Sequence, residues 1–215
     1  MNVSQLPPRE IRIRRHALEK LLLYAERCPV EIGGLGTVVQ DAEGLLITDV
    51  VLLAQKVSAW DTELDAEALF GYLGHLVAGG GDAAGVRLWW HSHGDMDLVW
   101  SDTDCDTIAN LPGDFWVALL VNRRGEVACR LDAFTPLRQT WDLPLTKVLD
   151  GDDGDLETLR FSIDREILEK VRAYTVMEEV VGSESVVGLI TEYPISLALD
   201  PAHGPVRRDD AGGEK

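Results

Sequence analysis

The chain has 215 residues, 46% hydrophobic and 27% charged, with a mean hydropathy of −0.02, which suits a globular domain with a sizeable core and argues against a disordered or fibrous chain. Asp and Glu number 37 against 20 Lys and Arg, and the formal charge of −17 would repel phosphate backbones, so nucleic acid is not expected as a partner. No apolar run approaches the roughly 18 residues that span a bilayer, and residues 1–8 lack an apolar export core. A soluble, cytoplasmic protein without a membrane partner is therefore expected.

Residues 11–13 form a short apolar strand, and 16–28 carry Ala17, Leu18, Leu21, Leu22, Ala25 and Cys28 at helical spacing, stopped by Pro29. Two β-rich runs, 30–40 and 45–55, follow, joined by Asp41-Ala42-Glu43-Gly44 as a hairpin turn. The spacing of Leu64, Ala68, Leu69, Tyr72, Leu73 and Leu76 predicts a second helix over 62–77, which Gly79-Gly80-Gly81 ends. A strand over 86–90, a short helix over 101–110 and a hairpin pairing 115–121 with 127–133 complete the pattern. This order predicts a mixed β-sheet flanked by helices.

Beyond residue 143 the pattern loosens. An acidic linker, 150–155, precedes a third amphipathic helix over 162–181, with Ile163, Ile167, Val171, Tyr174, Met177 and Val181 near one face. Its stripe packs on its own domain or presents an interface. A weak strand over 188–199 and a polar tail over 201–215, expected to be disordered, finish the chain.

Cys28, Cys105 and Cys129 are odd in number, far apart and without a C-x-x-C pair, so neither a disulfide framework nor a thiolate zinc site is indicated. Any metal must be held mainly by His and carboxylate. His91 and His93, two apart at the end of a strand, project from one face and can share a metal. Catalytic zinc commonly has three protein ligands, so a third is needed nearby. Five aspartates crowd the region: Asp95, Asp97, Asp102, Asp104 and Asp106. If Ser101 caps the helix, Asp104 shares its side while Asp102 and Asp106 point elsewhere, which favours Asp104 and leaves Asp95 and Asp97 open. Taken alone, Ser-x-x-Asp is an ordinary capping box.

His91-Ser92-His93, seven residues, Ser101, two residues and Asp104 together resemble the His-x-His-x7-Ser-x2-Asp signature of the JAMM metalloproteases, also called MPN-domain proteins. The family's separate upstream glutamate has a counterpart in Glu31, followed by Ile32-Gly33-Gly34. The resemblance covers about residues 9–141 and implies an α+β fold: an MPN/cytidine-deaminase-like mixed sheet flanked by helices. Residues 1–142 would form the catalytic domain, 143–200 a C-terminal extension with the amphipathic helix, and 201–215 the tail. It further implies one Zn(2+) per chain on His91, His93 and Asp104, Glu31 as general base and proton shuttle, and Ser101 as donor to the catalytic water or oxyanion. Outside this motif, Glu31 would be an ordinary solvated carboxylate on an edge strand.

Family members hydrolyse the bond after the C-terminal glycine of ubiquitin or a ubiquitin-like protein. The implied partners are such a protein or its conjugates, with activating and conjugating enzymes of the same operon. Gly94 and Trp100 stand where many members carry proline, and the spacer is more similar to bacterial members of ubiquitin-like conjugation or antiviral systems. Trp60 and residues 79–85 are candidate contacts for the substrate tail. The metallo-β-lactamase motif fails because Met96 replaces its next histidine, and an amidohydrolase barrel needs a repeated βα pattern that is absent. The competing class is a non-catalytic or partner-activated MPN scaffold.

Overall fold

Short strands and connecting helices alternate along the first two-thirds of the chain. In the computed structural model, which describes residues 8–57, 62–64, 66–149, 156–181, 184–195 and 197, they are β1 (Ile11–Arg14), α1 (Arg15–Arg27), β2 (Gly33–Asp41), β3 (Gly44–Leu52), β4 (Gln55–Val57) and β5 (Thr62–Leu64). Next come α2 (Ala66–Ala78), β6 (Val86–Ser92), α3 (Asp102–Ala109), β7 (Phe115–Val121) and β8 (Val127–Ala133). The remainder comprises β9 (Gln139–Asp142), β10 (Leu145–Val148), α4 (Leu156–Lys170), β11 (Val171–Val181) and β12 (Glu184–Pro194). Trp60, the acidic linker over 150–155 and the tail over 201–215 lie outside the described residues.

Eight strands form one mixed sheet in the order β10-β1-β3-β2-β6-β7-β8-β9, and four form a smaller sheet, β12-β11-β4-β5. The large sheet curls: the Leu143 N–H donates to the Cys129 carbonyl at 3.0 Å and the Ile11 N–H to the Pro144 carbonyl at 2.9 Å, so the step from β9 to β10 ties both edges together. Parallel pairs (β10–β1, β1–β3, β6–β7) and antiparallel pairs (β3–β2, β2–β6, β7–β8, β8–β9) are interspersed in the large sheet, and the fold is mixed α/β, consistent with the α+β expectation. Among the described residues no helix is long and apolar enough to cross a membrane.

Alternation along the strands divides the core. Leu88 and Trp90 of β6 join Leu21 and Tyr24 of α1 and Ile163 and Ile167 of α4 on one face. Trp89 joins Leu35, Ile108 of α3 and the α2 residues Leu69, Leu73 and Leu76 on the other. Tyr24 stacks on Trp90 with ring centroids 5.4 Å apart, and the Trp90 indole N–H donates to the Leu35 carbonyl at 3.2 Å. β2 lies between β3 and β6 at a separation that only glycine permits at one point: a Cβ on Gly34 would fall 2.1 Å from the Val51 carbonyl oxygen.

Several boundaries differ from the sequence expectation. The helix expected over 162–181 is α4 over Leu156–Lys170, and the chain passes directly into β11 at Val171, which pairs in parallel with Gln55 of β4. The weak strand expected over 188–199 is β12 over Glu184–Pro194, antiparallel to β11. The helix expected from residue 62 begins at Ala66, since 62–64 pair with β4 as β5. The first hairpin closes over residues 42–43, with Gly44 at φ +121°. Past residue 142, β10 pairs with β1, and Ile163 and Ile167 are fully buried in the same core as α1.

Candidate metal centre

The register of β2 on β6 places the site. Gly33 pairs with His91, and beyond this pair the Ser92 N–H donates to the Ile32 carbonyl at 2.7 Å while the Ile32 N–H donates to Ser92 Oγ at 3.0 Å. Continued along the antiparallel ladder, this register sets Glu31 opposite His93. The two-residue period of a strand then puts Glu31, His91 and His93 on one face of the sheet, the face covered by α2 and α3. Gly33 makes room for the first imidazole, because a Cβ there would meet His91 Cβ at 3.2 Å and the Trp90 carbonyl oxygen at 2.9 Å.

Asp104 arrives from α3. Ser101 is its N-cap and completes a capping box: Ser101 Oγ accepts from the Asp104 N–H at 3.1 Å and the Ser101 N–H donates to Asp104 Oδ2 at 2.7 Å. The capping box does not prevent Asp104 from serving as a metal ligand. One carboxylate oxygen is fixed by the cap, while Oδ1 lies 3.3 Å from His91 Nε2. Ser101 accepts through its oxygen and so keeps its hydroxyl proton to donate.

Three ligand atoms converge. His91 Nε2 and His93 Nε2 are 2.8 Å apart, and the Asp104 carboxylate approaches them through different oxygens, Oδ1 at 3.3 Å from His91 Nε2 and Oδ2 at 3.9 Å from His93 Nε2. Ligands at 2.0–2.1 Å in a tetrahedron lie about 3.3 Å from one another, so the spacing brackets what one zinc requires. Among the described residues His91, His93 and Asp104 form the group able to hold a metal ion. Burial lowers the His91 pKa to about 4, against the raising effect of Asp104 and with a further lowering by His93, so its imidazole is neutral at physiological pH, as metal ligation requires. The His93 Nδ1 lies 3.1 Å from the Asp97 carbonyl, which accepts its N–H and leaves Nε2 with a lone pair toward the site.

Glu31 is half-buried, and its Oε1 is a buried atom without a hydrogen-bond partner. Desolvation raises its pKa first; His93 opposes this and Asp104 adds to it, so its charge is coupled to two of the three candidate ligands. Glu31 lies two residues before β2, a strand interior to the sheet, and with Oε1 buried it is not a solvated carboxylate on an edge strand.

The other aspartates stay outside the cluster. Asp95 and Asp97 are exposed and pair with Arg123 at 3.3 Å and Arg124 at 2.8 Å, and Asp102 and Asp106 are exposed on α3. Residues 79–85 connect α2 to the start of β6, about 16 Å along the strand from His91. Two supports escaped the sequence reading. Gln55 is buried and clasps Gly33, accepting from its N–H at 2.9 Å and donating to its carbonyl at 2.8 Å where β3 has ended. Arg130, held by buried Asp132 at 2.8 Å, stacks its guanidinium 4.6 Å from the centroid of Trp100, the residue before Ser101. The i, i+2 placement of Arg130 and Asp132 on one strand face was their only sequence signal.

No family model matches the sequence, and no curated protein matches it. Among solved structures the chain is similar to the solution structure of protein DSY2949 from Desulfitobacterium hafniense, with 15% identity, a TM-score of 0.46, and coverage of 65% of this chain and 95% of that one.

Proposed function

We propose that this chain is a zinc-dependent isopeptidase or peptidase of the JAMM type, hydrolysing the bond after the C-terminal glycine of a ubiquitin or ubiquitin-like protein. Deconjugation and precursor processing are the two forms of that reaction, in a cytoplasmic bacterial conjugation or antiviral system. The observation that carries the reading is the convergence of His91, His93 and Asp104 beside Glu31, whose Oε1 is buried without a partner. An MPN-type fold for the curled sheet is part of the same proposal.

His91 and His93 would hold one zinc through Nε2 and Asp104 through its carboxylate, a nitrogen and oxygen donor set suited to that ion. Bound there, zinc supplies Lewis acidity toward a carbonyl and lowers the pKa of water. Glu31 takes the proton from the attacking water and returns it to the leaving amine. Its raised pKa favours that exchange, because a base works best when its pKa lies close to the working pH. Ser101 donates its hydroxyl proton to the oxygen that gains negative charge. No protein nucleophile takes part, so no acyl-enzyme forms. A diglycine tail suits a narrow approach because it has no side chains.

The test is hydrolysis of fusions in which ubiquitin-like proteins ending in glycine precede a reporter. The zinc-loaded chain should cleave after the terminal glycine. Glu31→Gln should keep its zinc and lose about 10²- to 10⁴-fold in kcat. Zinc-loaded protein that leaves every fusion and isopeptide-linked conjugate intact, or a Glu31→Gln variant as fast as the wild type, would overturn the proposal.

A further inference from the structure

The end of β7 and the turn between β7 and β8 supply no metal ligand, yet they are hydrogen-bonded to His93 and the loop that follows it. The His93 N–H donates to the Val121 carbonyl at 2.8 Å, and the Arg123 N–H donates to the Gly94 carbonyl at 2.8 Å. Asn122 is 1% exposed. Its Oδ1 accepts from the Arg124 and Glu126 N–H groups, both at 3.1 Å, which is what the turn itself needs. Its Nδ2 reaches outward, donating to the Met96 carbonyl at 3.2 Å and to Glu126 Oε2 at 2.6 Å. Arg124 donates to the Asp95 carbonyl at 2.9 Å and to Asp97 Oδ1 at 2.8 Å.

These donors converge on residues 95–97, whose side chains are exposed and bury nothing that could hold the loop by packing. The carbonyl of Asp97 is the acceptor of the His93 Nδ1 proton at 3.1 Å. A hairpin turn would close without Asn122 Nδ2 or the Arg124 guanidinium. Their bonds to the loop need another reason, and the acceptor for His93 provides it.

We propose that Asn122 and Arg124 are positioning residues of the metal centre. They fix residues 95–97 so that the Asp97 carbonyl selects the Nδ1–H tautomer of His93 and aims its Nε2 lone pair at the ion. The inference rests on the reading of His91, His93 and Asp104 as a zinc site, though not on the reaction carried out there. Outer partners of this kind are worth about 10- to 100-fold in metal affinity. Arg124→Ala is the cleaner variant, because its side chain is 45% exposed and its removal leaves no buried gap. Asn122→Asp keeps both turn acceptors and removes the donor to Met96, but it also replaces the donor to Glu126 Oε2 at 2.6 Å with a second carboxylate, so it is read only alongside Arg124→Ala.

The experiment titrates the full-length wild type and both variants with zinc against a chromophoric chelator. It also records the imidazole nitrogen shifts of each metal-free chain by long-range proton–nitrogen correlation. Both variants should bind zinc about 10- to 100-fold more weakly, with His93 changed from the Nδ1–H tautomer to a mixture, while the metal-free melting temperature of Arg124→Ala stays close to that of the wild type. Wild-type affinity in Arg124→Ala, or weaker binding with the His93 tautomer unchanged, would overturn the proposal. A wild-type chain that takes up no zinc would instead overturn the metal-site reading on which it rests.

Discussion

Asp104 caps α3 and in the proposed site also ligates the metal, and Asp104→Asn separates the two roles. The amide oxygen can replace Oδ2 as acceptor of the Ser101 N–H at 2.7 Å, and the Ser101 Oγ bond to the residue-104 N–H is a backbone contact that survives. The cap, worth about 0.5–2 kcal/mol, is therefore retained. The substitution removes a charge that is 7% exposed and faces an imidazole kept neutral by burial, so the metal-free protein should melt no lower than the wild type. Zinc at a thousand times its Kd stabilises a folded chain by about 4 kcal/mol. At about 2–4 °C per kcal/mol for a chain of this size, the wild type should gain about 8–16 °C. Asp104→Asn should lose most of that gain because a neutral amide is a poor zinc ligand. Differential scanning fluorimetry with and without zinc reads both quantities. A metal-free melting temperature several degrees lower, or a zinc-induced gain equal to that of the wild type, would refute the division of roles.

Two further outcomes follow from the core. Burial holds the His91 pKa near 4, below the value of about 6.5 in the unfolded chain. As pH falls the unfolded chain therefore takes up this proton first, and native stability is lost from about pH 6.5 toward 4. The metal-free melting temperature should fall across that window, less steeply in His91→Gln; equal slopes would contradict the assignment. Ile167→Ala removes a fully buried side chain that α4 packs in the same core as α1, and should cost about 2–5 kcal/mol in denaturant unfolding. A single transition unchanged in midpoint would show that α4 is dispensable to the domain.

Strong periodicity made the central elements legible. β6 and the β7–β8 hairpin follow from short apolar or β-rich runs, the hairpin around the turn over 122–125, and α1 and α3 from helical spacing, with Pro29 after α1 and Ser101 before α3. The ligand spacing was legible for the same reason, since a strand end and a helix N-cap fix where His91, His93 and Asp104 point. The α4 to β11 junction was hidden because Ile163, Ile167 and Val171 are spaced four apart and all are buried, whereas the next buried residue, Ala173, is only two further on. The period changes from helix to strand at a residue that fits both, with no Gly or Pro between them. β4, β5, β9 and β10 are three or four residues long, too short to show a period, and exist through their neighbours. Gln55 and the Asn122–Arg124 clasp act through backbone groups, which leave no trace in residue spacing.

The proposed centre is one zinc held by two imidazoles and a carboxylate. X-ray absorption at the zinc edge of the loaded full-length chain tests this directly. One zinc per chain with only nitrogen and oxygen neighbours at about 2.0–2.1 Å, two of them showing imidazole outer-shell scattering that disappears in a His91→Ala/His93→Ala double variant, is the expected result. A sulfur neighbour at about 2.3 Å, or a spectrum unchanged by the double variant, would place the metal elsewhere and contradict the account.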